Sequence, residues 1–105
     1  SATGRLFLAH MSPKQRDQLA PDLEIDAGSL DEIRSDGYAL STDSNESGII
    51  AISAPIFNRS GKMVAALSLS GPAFRLINRD MTGKIRETVA AARQITETLK
   101  ENQIR

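Results

Sequence analysis

The stretch that decides the fold is IIAISAPIF (49–57), NRSGK (58–62) and MVAALSLS (63–70). Two apolar runs of strand length flank a short polar link that contains glycine, the pattern of a β-hairpin whose loop needs one residue at positive φ, here Gly61. Pairing Phe57 with Lys62 leaves a four-residue loop and sets the register. One face then carries Ile50/Leu69, Ile52/Leu67, Ala54/Ala65 and Ile56/Met63, wholly apolar and therefore core. The other carries Ile49/Ser70, Ala51/Ser68, Ser53/Ala66 and Pro55/Val64. A slip of one residue would mix the two sets and lose burial on both faces. Ser68 and Ser70 thus sit on a second face made of small residues. Two readings of these hydroxyls stand side by side: serines satisfied by carbonyls or water beneath a packed helix, or donors on the floor of a small-molecule pocket. Ala51, Ser53 and Ala66 would leave room for the ligand of the second reading.

Upstream of the hairpin, YAL (38–40) reads as a strand and STDSNES (41–47) as a polar, turn-rich link. Ser29-x-x-Glu32 has the form of a capping box and predicts a helix of about two turns, ended by Gly37 in the left-handed region. In DLEID (22–26), Leu23 and Ile25 alternate with acidic residues, as in a half-exposed strand or an extended loop. Ser12-x-x-Gln15, with Pro13 at the first helical position, starts a second short helix that Pro21 stops near Ala20. Before it, GRLFLAHM is a short apolar helix ended at Ser12-Pro13. Downstream, Asn78 is a candidate N-cap for the longest helix, running to Arg105. Ile77, Met81, Ile85, Val89, Ala92, Ile95 and Leu99 form its apolar stripe, the opposite face is polar and charged, and Gly83 inside the helix costs about 1 kcal/mol relative to alanine. Helices first, a hairpin in the middle and a helix last make an α+β fold with an antiparallel sheet.

The 105 residues, 40% hydrophobic and 25% charged, allow a single globular domain with a small core. With no cysteine there is no disulfide scaffold, thiolate metal site or cysteine nucleophile, and the composition fits a reducing compartment. Thirteen basic residues balance thirteen acidic ones, so the chain lacks the basic footprint of a nucleic-acid binder. No apolar run approaches the roughly 20 residues of a membrane span. His10 is the only histidine and has no second His or Cys to share a metal or a relay, so it reads as an ordinary structural or surface residue. SLSG lacks the first glycine of a nucleophile elbow, and the strand runs into Pro72 instead of straight into a helix, which argues against a serine hydrolase. The carboxylates of DLEID and DSNE lack the glycine and closing glutamate of a calcium loop and read as solvated acidic surface. No cofactor is expected. A chain that opens without methionine and enters helical pattern at once is expected to belong to a longer protein.

GYAL (37–40), a polar stretch, GIIAISAPIFNRSGKMVAALSLSGP (48–72) and a final amphipathic helix together resemble the C-terminal effector-binding domain of IclR-type bacterial transcriptional regulators. The opening SATGRLFLA is similar to that family's small-residue turn and the helix after it. The resemblance covers most of the chain. It implies a GAF-like α+β fold with flanking helices and a long C-terminal amphipathic helix. It also implies one effector-binding domain over 1–105, lacking its early strands, in a cytoplasmic homodimer or homotetramer. Operator DNA would be met only through an N-terminal winged helix-turn-helix outside this chain. In such domains a small carboxylate lies at the start of the early helix. Carried over, this implies backbone contacts at Ala2 and Thr3, side-chain contacts from Ser68 and Ser70, and wall positions at Ile49 and Ala51. A helix N-terminus with its unpaired N–H groups suits an anion. The resemblance also implies a ligand contact at Ser41, and the chain departs from the pattern there, where members often carry an acidic residue, and at Ala51, often cysteine in the family. The stretch between Ala20 and Gly37 is also shorter.

Three functions follow as expectations. The first is a sensor module in which a small carboxylate shifts the subunit arrangement and, through it, operator affinity. The alternative is an oligomerisation module with a vestigial pocket and the final helix as interface. An enzyme is the least supported, because no acid–base or nucleophile constellation is present.

Overall fold

The fold is taken from a computed structural model that describes residues 1–22, 24, 26–42, 48–77 and 81–102, with the backbone alone at 42 and 77. Three helices come first: α1 (Ala2–Ala9), α2 (Pro13–Leu19) and α3 (Ala27–Asp36). Three strands follow, β1 (Ala39–Thr42), β2 (Ile49–Phe57) and β3 (Met63–Pro72), in an antiparallel sheet of order β1-β2-β3. A short α4 (Ala73–Ile77) and the 21-residue α5 (Met81–Glu101) close the described chain.

Local chemistry sets most of these boundaries. Ser12 Oγ accepts from Gln15 N–H while Gln15 Oε1 accepts from Ser12 N–H, so the expected capping box is present with Pro13 behind it. Gly37 ends α3 at φ 84°, a left-handed conformation that costs other residues about 1–2 kcal/mol. The start of α3 differs from the expectation. Asp26, not Ser29, is the N-cap, its carboxylate accepting from Gly28 N–H at 3.1 Å. With the helix already capped there, Ser29 lies inside its first turn and has no end to cap. The alternation at Leu23 and Ile25 and the Asn78 cap lie outside the described residues, as does the polar link from Asp43 to Ser47; Ser41 and Thr42 belong to β1.

The hairpin register is shifted by two residues from the expected one. Phe57 pairs with Met63 and not Lys62, so the loop has five residues, held by Asn58 N–H to the Lys62 carbonyl and Gly61 N–H to the Asn58 carbonyl. Gly61 adopts φ 83° as expected. A β-bulge then advances β3 by one more residue, so that Ile56 faces Ala65 and Val64 is the extra residue, 43% exposed. A longer loop and a bulge add to an even shift, and an even shift returns side chains to the same face. Every expected face therefore survives except that of Met63, which lies before the bulge and turns to the opposite side.

Helices pack on both faces. Ala51, Phe57, Ala66 and Met63 pack with Ala2, Leu6 and Ala9 of α1, Leu30 and Ile33 of α3, and Ala39 of β1. On the other face Ala54, Ile56, Ala65 and Leu67 pack with Val89, Ala92 and Leu99 of α5. The buried line of α5 is Thr88, Ala92 and Thr96, and Ile95 is exposed, a rotation from the expected stripe. Small residues bring the helix close to the sheet, and the threonines satisfy their hydroxyls locally. Thr88 Oγ1 donates to the Lys84 carbonyl, and Thr96 Oγ1 accepts from Phe57 N–H at 3.1 Å, tying the end of β2 to α5. The strand also does not lose the chain to a loop at Pro72: α4 begins at Ala73, whose N–H donates to the Gly48 carbonyl.

Candidate functional site

Two rows of residues cross the sheet on the α1 side. Ala39, Ser53 and Ser68 make one, and Ser41, Ala51 and Ser70 the next. The first turn of α1 lies over the former row. Thr3 Oγ1 stands 3.1 Å from Ser53 Oγ and 3.0 Å from Ser68 Oγ, and Ser68 Oγ donates to Ser53 Oγ at 3.1 Å. The three hydroxyls thus close a ring. Ser53 is fully buried beneath it, whereas Ser68 is exposed and Thr3 half-buried.

The sequence draws α1 into this position for simple reasons. Ala2, Leu6 and Ala9 recur at helical spacing and are all buried, so the helix must lie on the sheet. Its first residue, Ala2, is small, which lets the first turn approach closely. Ser1 caps the helix through Gly4 N–H. Arg5 anchors the helix sideways by donating from Nη2 to the Leu40 carbonyl at 2.6 Å.

Of the seven expected site residues, the structure brings Thr3 and Ser68 into direct contact and puts Ser41, Ala51 and Ser70 in the adjoining row. Ser70 is exposed, and its hydroxyl has no hydrogen bond among the described residues. Ala2 is 2% exposed, so only its backbone is placed to meet a ligand. Ile49 stands at the far end of β2 opposite Pro72, 45% exposed and one row beyond Ala51. Ser53 is the member that sequence reasoning took only as a small neighbour. A register moved by two residues would have set it opposite Ser68 and disclosed the pair.

The larger cavities lie elsewhere. One of about 840 Å³ opens between the end of α1, α2 and the hairpin, bordered by Phe7, His10, Met11, Leu19 and Phe57. None of the seven residues borders it or the two smaller cavities beside α1 and α5, and Ser68 and Ser70 are exposed on β3. His10 stands edge-on to Phe57, ring centroids 5.3 Å apart, with Nε2 buried and unpartnered among the described residues. Burial, and then the neighbouring Arg34 guanidinium, lower its pKa below 6.5. Among the described residues no hydrogen bond joins His10 to Ser68 or Ser70. Among the described residues no group of His, Cys, Asp or Glu could hold a metal, and no helix is long and apolar enough to cross a membrane.

Comparisons with known proteins agree with this fold. A family model described as bacterial transcriptional regulator IclR C-terminal matches residues 1–97. The chain is 27% identical over 109 residues to the HTH-type transcriptional regulator BhcR of Paracoccus denitrificans, covering 91% of this chain and 39% of that protein. It is 33% identical over 67 residues to the HTH-type transcriptional regulator KdgR of Escherichia coli, covering 64% of this chain and 26% of KdgR. The chain therefore spans well under half of these relatives' length. The crystal structure of the E. coli KdgR C-terminal domain superposes with a TM-score of 0.79 at 25% identity, over 94% of this chain and 68% of that one. The inducer-binding domain of the transcription factor PobR from Acinetobacter, a double mutant in complex with 3-hydroxybenzoic acid, has the same fold. It superposes with a TM-score of 0.68 at 21% identity, over 91% of this chain and 63% of that one.

Proposed function

We propose that this chain, which belongs to the IclR C-terminal family of bacterial transcriptional regulators, is a ligand-sensing domain that binds a small carboxylate on the α1 face of its sheet. The observation that carries the reading is the meeting of Thr3 in the first turn of α1 with Ser53 and Ser68 on two adjacent strands, beside Ser70, whose hydroxyl has no hydrogen bond among the described residues. Side chains far apart in sequence converge on one polar patch in an otherwise apolar layer. The patch adjoins the N-terminal turn of α1, whose N–H groups carry partial positive charge, so an anion held beside it at Ser70 is favoured without a lysine. That PobR's domain was crystallised with a hydroxybenzoic acid supports the ligand class at the level of fold.

On this reading residues 1–105 form one effector-binding domain of a cytoplasmic regulator. It assembles as a homodimer or homotetramer and meets operator DNA only through a winged helix-turn-helix domain preceding it. Regulation then requires that the carboxylate bind two subunit arrangements with different affinity, since equal affinity shifts nothing. The relatives are named transcriptional regulators, and no step of chemistry is assigned to the chain. A second reading, an oligomerisation module with a vestigial pocket, draws on Phe74, which is 65% exposed on α4, and on Ile95, exposed on α5.

Thermal unfolding against a panel of small carboxylates separates the two. Free ligand at about 100 times its Kd stabilises a one-site binder by about 2.7 kcal/mol. The sensor reading expects at least one acid to raise the Tm, and the gain to vanish in a folded Ser68→Ala/Ser70→Ala variant. A panel that leaves both proteins unmoved favours the oligomerisation module.

A further inference from the structure

The hydroxyl ring has a property that a loose cluster of serines lacks: its protons are all spent. Each hydroxyl supplies one proton and two lone pairs. Ser68 donates to Ser53, so closing the triangle requires Ser53 to donate to Thr3 and Thr3 to Ser68. Ser53 is fully buried, and its hydroxyl has no hydrogen-bond partners among the described residues other than these two. Its proton therefore stays in the ring whatever binds above. Thr3 and Ser68 each keep one lone pair open to the outside. Ser70, on the same face of β3 two residues on and hence roughly 6.6–6.8 Å along the strand, has no hydrogen bond to its hydroxyl among the described residues and keeps its proton for a ligand.

From this count we propose that Ser53 is a positioning residue that makes the site select a hydroxyl-bearing carboxylate over the parent acid. The inference rests on the carboxylate reading above and names the ligand class within it. A carboxylate oxygen accepts only. Turning the Thr3 or Ser68 proton toward it breaks a ring bond, so the exchange gains little, whereas Ser70 can serve the carboxylate at no such cost. A ligand hydroxyl donates into the open lone pair of Thr3 or Ser68 and leaves the ring whole. Carboxylate toward Ser70 and hydroxyl toward the ring is the pose that keeps every bond of the ring, and a site that gives up a bond to one ligand and not to the other discriminates between them. Removing the Ser53 hydroxyl leaves two hydroxyls and two protons with one bond between them. One donor is then free, and the ring's preference disappears.

The test is calorimetric titration of the chain with matched pairs of acids: propionate and 2-hydroxypropionate, butyrate and 3-hydroxybutyrate, benzoate and 3-hydroxybenzoate. The unmodified chain should bind at least one hydroxy acid about tenfold more tightly than its parent, the worth of about one hydrogen bond. In Ser53→Ala that ratio should fall to about twofold while the parent acid binds as well as before or better. Ser53→Cys, which keeps the volume and weakens the hydrogen bonds, should behave as the alanine variant and stands in for it if alanine prevents folding. An unmodified chain that binds both acids of every pair equally overturns the selection and leaves carboxylate sensing intact. Equal weakening of both acids in the two variants overturns it as well, because Ser53 would then only support packing. If no acid binds any of the proteins, carboxylate sensing itself fails, and this inference fails with it.

Discussion

His10 shows how one side chain can be unremarkable in sequence and constrained in the fold. Its ring lies against Phe57 with Nε2 out of reach of water, and both burial and Arg34 oppose protonation. The folded state therefore binds this proton less readily than the unfolded chain, whose histidine titrates near 6.5. Where the unfolded state binds more protons, stability rises with pH. The contribution is present above pH 6.5 and is lost as pH falls through the lower folded-state value. Urea midpoints measured on either side of that pH should drop on the acid side, and His10→Gln should flatten the slope. An equally steep slope in the variant would assign it to other groups. At the same scale, Ser68 and Ser70 were legible as a hydroxyl pair from their spacing alone. Ser53 was not, because its meaning depends on the residue opposite it.

At the scale of the element, capping and turn chemistry were largely readable. The Ser12–Gln15 box, the stop near Ala20 and the left-handed Gly37 and Gly61 are local, decided by residues within a few positions of each other. The exception is instructive. Ser29-x-x-Glu32 has the form of a box, yet Asp26 caps α3. Asp26→Ala should cost about 1 kcal/mol of stability, with a range of about 0.5–2, while Ser29→Ala should cost a few tenths at most. Denaturant unfolding of the two variants checks this, and equal losses would return the cap to Ser29. The hairpin illustrates the other limit. Period-2 patterning assigns faces and is blind to any shift of two residues, so loop length and the bulge at Val64 escaped it. The rotation of α5 escaped for a related reason. Ile95 fits the apolar stripe better than Thr96, but the sheet admits a small residue there, and the Phe57 N–H rewards one that carries an acceptor.

The whole molecule is a sheet held between unlike layers, α1 with α3 on one side and α5 on the other. Leu6 is the clearest joint of the first pair, with no exposed surface and α3, β1 and the sheet in the same cluster. Leu6→Ala should destabilise by about 2–5 kcal/mol, the range for a large buried aliphatic whose site cannot collapse. Because α1 also holds Thr3 over the serines, the variant should lose carboxylate-induced stabilisation even at a temperature where it remains folded. Retained ligand stabilisation would show that the patch does not depend on the seat of α1.

By itself the sequence determined the class of fold, the two faces of the hairpin, both ends of α2, the stop of α3 and the family, because these follow from local propensity, period and ordered motifs. Only the tertiary structure decided which residues meet across those elements. Register, the bulge, the seat of α5 and the ring joining Thr3, Ser53 and Ser68 come from packing among segments as many as 65 positions apart. No local pattern carries that information, since an even shift in pairing leaves every pattern unchanged and alters every partner.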